Sequence, residues 1–114
     1  NVVQQANLNF PFNSGHSNYF VEIRDNPGRY DCEAFEISFR SILKEGDIVC
    51  QCRNNDCTSF SDVSKGDEGH CDIIVSIGNN VELIGGNVEN SVTKKTLSKG
   101  RVISDYYGYI SCNP

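Results

Sequence analysis

Proton transfer near neutral pH has two natural carriers in this chain, His16 and His70. His70 follows Gly69 directly and opens a largely apolar run, Cys71 to Ile77. A histidine at the mouth of a strand projects into a cleft while the sheet holds its backbone still. Gly78-Asn79-Asn80 is hairpin sequence, because Gly and Asn tolerate positive φ, and Val81 to Ile84 supplies the returning strand. That return brings Gly85-Gly86-Asn87 to the level of His70. The Asn87 carboxamide then stands where an orienter is needed, the group that holds a general base in one tautomer. The plainer alternative is that His70 ends a loop and Asn87 fills a turn after two glycines. His16, at the end of the loop segment Phe10 to His16, either lines the substrate cleft or is satisfied by its own loop.

A nucleophile is harder to place. Cys32, in Asp31-Cys32-Glu33-Ala34-Phe35, is the one cysteine ahead of Gly46-Asp47 and is therefore the candidate. A reactive thiol favours a helix N-terminus, where the dipole and free N–H groups lower its pKa and stabilise an oxyanion. The alternation that follows Cys32 reads as strand instead, which favours a disulfide role. Six cysteines (Cys32, Cys50, Cys52, Cys57, Cys71, Cys112) suit a disulfide framework in an oxidising compartment. Zinc is the competing use of Cys50, Cys52 and Cys57 with His70-Cys71. Cys50 and Cys52 stand two apart on an expected strand, facing one side, which is poor geometry for a zinc knuckle. Asp62 to Glu68 is an acidic loop whose carboxylates are too sparse for calcium. No metal and no cofactor is expected. Tyr106, Tyr107 and Tyr109 offer either a stacking face for sugar or peptide, or a strand that is half core and half exposed.

The elements that must position these groups are mostly strands. Phe35, Ile37 and Phe39 alternate with Glu36, Ser38 and Arg40, the pattern of a half-buried strand. Gly46-Asp47 is a turn ahead of a strand from Ile48 to Arg53, and Asn54 to Gly69 reads as a long exposed loop. Val92 to Leu97, Val102 to Ser104 and Tyr106 to Ile110 complete the strand set, and Val2 to Leu8 reads as the tail of a helix stopped by Asn9 and Pro11. The expected fold class is α+β, mostly β: a small antiparallel sheet or half-barrel with little helix, in one domain spanning residues 1–114. Ten basic against fifteen acidic residues give a net charge of −5, which argues against a nucleic-acid partner. The apolar runs are too short to span a membrane. The start lacks a basic stretch, an apolar signal core and an initiator Met, so the chain is expected to be a processed product or a fragment.

Three segments resemble known families. Gly46-Asp47-Ile48-Val49, Gly69-His70-Cys71-Asp72-Ile73-Ile74-Val75 and Glu82-Leu83-Ile84-Gly85-Gly86-Asn87 follow the order seen in CHAP amidases and NlpC-type cysteine peptidases, papain-like enzymes that cut peptidoglycan peptides. The chain is more similar still to the bacterial and phage domain of unknown function 2272 family. The segments that carry this likeness are Phe10 to Tyr19, Gly46 to Cys50, His70 to Val75 and Gly85 to Thr93, within roughly residues 2–97. The resemblance implies a papain-like fold with His70 as base and Asn87 as orienter. It also implies a nucleophile helix whose tail is Val2 to Leu8 and whose start would lie ahead of Asn1, so that the nucleophile segment is cut away, lost, or contributed by a second chain.

Two functions are compatible with this pattern. One is a peptidoglycan-directed amidase or endopeptidase module, with peptidoglycan peptide or glycan as its partner. The other is a non-catalytic wall-binding or virion structural module that has lost its nucleophile. Either implies a secreted, periplasmic or virion-associated protein.

Overall fold

Period-two alternation builds the larger part of the molecule. The computed structural model describes residues 16–52, 59–67, 69–86 and 92–112. Among these, six strands form one sheet: β1 (Cys32–Glu36), β2 (Ile48–Cys52), β3 (Gly69–Ile77), β4 (Asn80–Gly86), β5 (Val92–Ser98) and β6 (Gly108–Cys112). Their order is β1-β6-β2-β3-β4-β5, and every pairing is antiparallel. Two helices complete the described elements, α1 (His16–Asp25) and α2 (Lys99–Asp105). The expected architecture, mostly β with an antiparallel sheet and little helix, is present.

The two faces of the sheet carry different cores. Ile48 and Cys50 of β2, Cys71 of β3 and Ile110 of β6 pack with Tyr19, Phe20, Val21 and Ile23 of α1. The other face carries Val49 of β2, Ile74 of β3 and Val81 and Leu83 of β4, which pack with Val102 of α2, Tyr106 and Ile37. A fully buried side chain such as Phe20 or Leu83 contributes about 1.5–3 kcal/mol relative to exposure. Among these elements, β2 and β3 supply both layers, so the middle of the sheet is fixed from both sides.

The Gly46-Asp47 motif locks β2 to β3. Gly46 has φ 95°, the left-handed conformation that glycine adopts freely. Its N–H donates to the Ile74 carbonyl at 2.8 Å, and the Ile74 N–H donates to the Asp47 carbonyl at 2.9 Å. The buried Asp47 carboxylate accepts from the Lys44 N–H at 3.0 Å, which closes the turn.

Several sequence expectations shift. His16 is the first residue of α1, where loop was expected. A helix of ten residues with aromatic and β-branched side chains gives a periodicity that strand explains equally well. The first strand is Cys32–Glu36, so it overlaps the Phe35 to Arg40 alternation only at Phe35 and Glu36; Phe39 is 79% exposed in the loop beyond it. Val102 to Ser104 lies in α2, whose N-cap Ser98 accepts from the Arg101 N–H. The described part of the expected long loop, residues 59–67, is tied down. Val63 is buried, Arg24 donates to the Phe60 and Val63 carbonyls at 2.8 and 2.7 Å, and Ser17 Oγ donates to the Asp67 carbonyl at 2.7 Å. The helix expected at Val2 to Leu8 lies outside the described residues, as do Arg53, Cys57, Glu68 and Asn87.

Candidate functional site

Position 70 falls at the start of β3, and alternation turns residues 70, 72 and 74 to one face. His70 and Asp72 are therefore same-face neighbours, and His70 Nε2 lies 2.7 Å from Asp72 Oδ1. The carboxylate is fully buried, while the imidazole side chain keeps 17% exposure, so the ring is reachable from solvent. The second carboxylate oxygen is also bound. Tyr106, just past α2, donates its hydroxyl to Asp72 Oδ2 at 2.5 Å, and Lys95 Nζ of β5 lies 3.0 Å from the same atom.

The vacancy that admits this cluster is Gly85. It pairs with Asp72 across β3 and β4, and a Cβ there would sit 2.2 Å from Asp72 Oδ1 and 2.6 Å from His70 Nε2. Burial alone pushes the Asp72 carboxyl up, but the hydrogen bonds from His70, Tyr106 and Lys95 outweigh it and hold the carboxyl at about 2. Asp72 is thus a carboxylate throughout the physiological range. The same burial, with Asp72 beside it, pushes the Tyr106 phenol far above its ordinary value.

This arrangement defines what the imidazole can do. An ionised carboxylate accepts and does not donate, so a neutral His70 carries its proton on Nε2, facing Asp72. Nδ1 then holds the lone pair. A base with one nitrogen pinned by a buried carboxylate has a fixed tautomer and a fixed ring plane.

His16 joins the same neighbourhood from a different element. Its ring centroid is 5.3 Å from that of His70, at 66°, and its Nδ1 lies 2.8 Å from the Tyr19 hydroxyl.

The other expected catalytic residue is elsewhere. Cys32 is on β1, separated from β3 by β6 and β2, and its sulfur is bonded to Cys112. A sulfur in a disulfide offers no thiolate, so Cys32 as nucleophile is corrected to Cys32 as a cross-strand link. Cys50 is bonded to Cys71, Cys52 is disulfide-bonded as well, and no cysteine among the described residues is free. Among the described residues no group of three or more His, Cys, Asp or Glu side chains is placed to hold a metal ion.

Asp72, Tyr106 and Lys95 were not expected in the site. The signal for Asp72 was the i, i+2 spacing from His70 on a strand, the same spacing that put Cys50 and Cys52 on one face. Tyr106 and Lys95 reach Asp72 only through the packing of α2 and the β4–β5 pairing, which no local pattern encodes.

Against this geometry, the chain matches the model of a bacterial family described as an uncharacterized protein conserved in bacteria, DUF2272, over residues 2–107. It belongs to that family. No curated protein and no solved structure matches it.

Proposed function

We propose that the chain carries the base and the orienting groups of a papain-like hydrolase directed at peptidoglycan peptides. His70 Nδ1 takes the proton of a thiol or hydroxyl nucleophile drawn from outside the described residues, and later returns it to the departing amine. Asp72 holds the ring and balances the imidazolium that forms in between. The observation that carries this reading is the His70–Asp72 pair, a solvent-reachable imidazole anchored on a carboxylate that is itself bonded three times. Asn87 keeps its proposed place as a second orienter beyond the end of β4, supported by the family-like segment Gly85 to Thr93. The disulfides fit an oxidising compartment, which supports a secreted, periplasmic or virion-associated protein. No helix among the described residues is long and apolar enough to cross a membrane.

The test is His70→Ala in the full protein that contains this chain, with release of new amino groups from purified peptidoglycan as the readout. Loss of a positioned base lowers the rate by about 10²–10⁴-fold. Undiminished release removes His70 from the mechanism. The oxidised cysteines favour a second reading, a non-catalytic wall-binding or virion module. It is supported if wild type binds walls without releasing amines and binding survives His70→Ala.

A further inference from the structure

Neighbouring lysines of β5 point to opposite faces of the sheet and meet different carboxylates. Lys94 stands 3.6 Å from Glu82, a pairing of two exposed side chains. Lys95 turns to the other face, and its Nζ lies 3.0 Å from Oδ2 of the fully buried Asp72. In β4, the strand between, Asp72 faces Gly85, which has no side chain to stand in the way. The ammonium also sits over the Tyr106 ring, 5.8 Å from its centroid. Tyr106 already gives Oδ2 a hydrogen bond, so what Lys95 adds is a charge. His70 holds the opposite oxygen, Oδ1, and ammonium and imidazole therefore face each other through one carboxylate.

We propose that Lys95 is a positioning residue that keeps His70 in its basic form and so sets the acid limit of the site. The inference rests on the hydrolytic role proposed for His70. A carboxylate beside an imidazole favours the imidazolium, which has no lone pair left to accept a proton from a nucleophile. Lys95 acts against this through Asp72. It draws on the shared carboxylate and repels a second cation across it, so His70 gives up its extra proton more readily. The charged or titratable groups that the described structure sets against the pair are Lys95 from β5, Tyr106 past α2, and His16 from α1 with Tyr19 beside it. β4 contributes Gly85, and β2 pairs Gln51 with His70; neither titrates. Tyr106 keeps its proton opposite Asp72, so it offers a neutral hydrogen bond where Lys95 offers a charge. The two residues at one oxygen can thus be told apart.

The experiment follows the His70 imidazole by nitrogen-15 NMR through a pH titration of the full protein, and measures amine release from purified peptidoglycan over the same range. It compares wild type with Lys95→Met, Lys95→Arg, Lys94→Met and Tyr106→Phe. Lys95→Met is expected to raise the protonation midpoint of His70 by about one pH unit, and to carry the acid limb of kcat/KM with it. Lys95→Gln, also uncharged, carries the same expectation and serves if Lys95→Met fails to fold. Lys95→Arg keeps the charge and stays within about 0.3 of the wild-type midpoint, as does Lys94→Met. Tyr106→Phe moves it by less than Lys95→Met. A lysine needed only for packing would lower stability and leave the midpoint alone, so an unmoved or lowered midpoint in Lys95→Met overturns the proposal. An equal shift in Lys95→Arg, or a larger one in Tyr106→Phe, overturns it too. The titration needs no turnover, which separates the two ideas. Release that persists with an unmoved acid limb overturns the Lys95 role alone, whereas release absent from wild type at every pH overturns the hydrolytic reading and the acid limit with it.

Discussion

Asp72 is a charge with no exposure, held by His70 of its own strand, by Tyr106 just past α2 and by Lys95 of β5. Its pKa in the fold, about 2, lies below the ordinary 3.8, so its contribution to stability is fully present above pH 4 and is lost as pH falls toward 2. A shift of that size corresponds to about 2 kcal/mol. Urea melts between pH 2 and 5 should show this acid limb in wild type and a flatter one in Asp72→Asn, which is also less stable at neutral pH because Lys95 loses its counter-charge. An unchanged limb in the variant would assign the acid sensitivity to other carboxylates. The residue scale is also where the sequence was most readable and most misleading at once. With two histidines present, His70 was easy to single out. The sequence points for an orienter to Asn87, seventeen positions away, because Asp72, embedded in an apolar run, looks like an ordinary member of a buried strand. Cys32 was set apart by its place in the chain, but its partner Cys112 lies 80 residues on, and only the β1–β6 register brings the two together.

Elements rather than side chains decide whether His70 and its carboxylate stay together. Gly85 of β4 leaves the space that they occupy, and an alanine Cβ would fall within 2.6 Å of both. Asp72 cannot swing into solvent, so Gly85→Ala should displace the carboxylate from His70. The expected cost is about 1–3 kcal/mol of stability, with loss of the amide hydrolysis proposed for the site although no reacting group is changed. Wild-type turnover and melting in Gly85→Ala would mean that the site is looser than this packing requires. The two cross-strand disulfides make a sharper comparison. Cys50–Cys71 joins β2 to β3 between His70 and Asp72 and spans 21 residues, while Cys32–Cys112 joins β1 to β6 and spans 80. Chain entropy assigns them about 3 and about 4.5 kcal/mol respectively. The two rankings should therefore cross. Replacing Cys32 and Cys112 by alanine lowers the melting temperature more, and replacing Cys50 and Cys71 lowers the proposed hydrolysis more, because of the two only that pair clamps the strand carrying His70. If activity follows melting temperature in both variants, the clamp is generic. Strands were legible at this scale because period two is a strong local signal, and β2 through β5 fall close to where alternation and turn residues put them. The helices were not. α1 is short and rich in aromatic and β-branched residues, and α2 contains Gly100, a poor helix former, so its clearest mark was the N-cap Ser98.

At the scale of the molecule, one sheet serves two cores. The layer beneath α1 and the layer beneath α2 draw on alternate residues of the same strands, as Ile48 and Val49 of β2 show. A strand cannot lose its partners on one face and keep its register for the other, because register fixes both faces together. The two layers should accordingly unfold as one unit, although they share no side chain. Phe20→Ala probes the α1 layer and Leu83→Ala the α2 layer; both residues are fully buried. Each truncation should cost about 2–5 kcal/mol. In each variant far-UV and near-UV circular dichroism should report one coincident transition, the near-UV signal arising from tyrosines placed in both layers: Tyr19 in the first, Tyr106 in the second. The site follows from this coupling. Asp72 projects into the α2 layer, and His16 and Tyr19 belong to α1, so the two imidazoles meet only where both layers are intact. A variant in which one layer melts ahead of the other, with the two signals separating, would show the sheet to be a seam between independent halves. It would also predict a state in which His70 keeps its carboxylate while His16 has left.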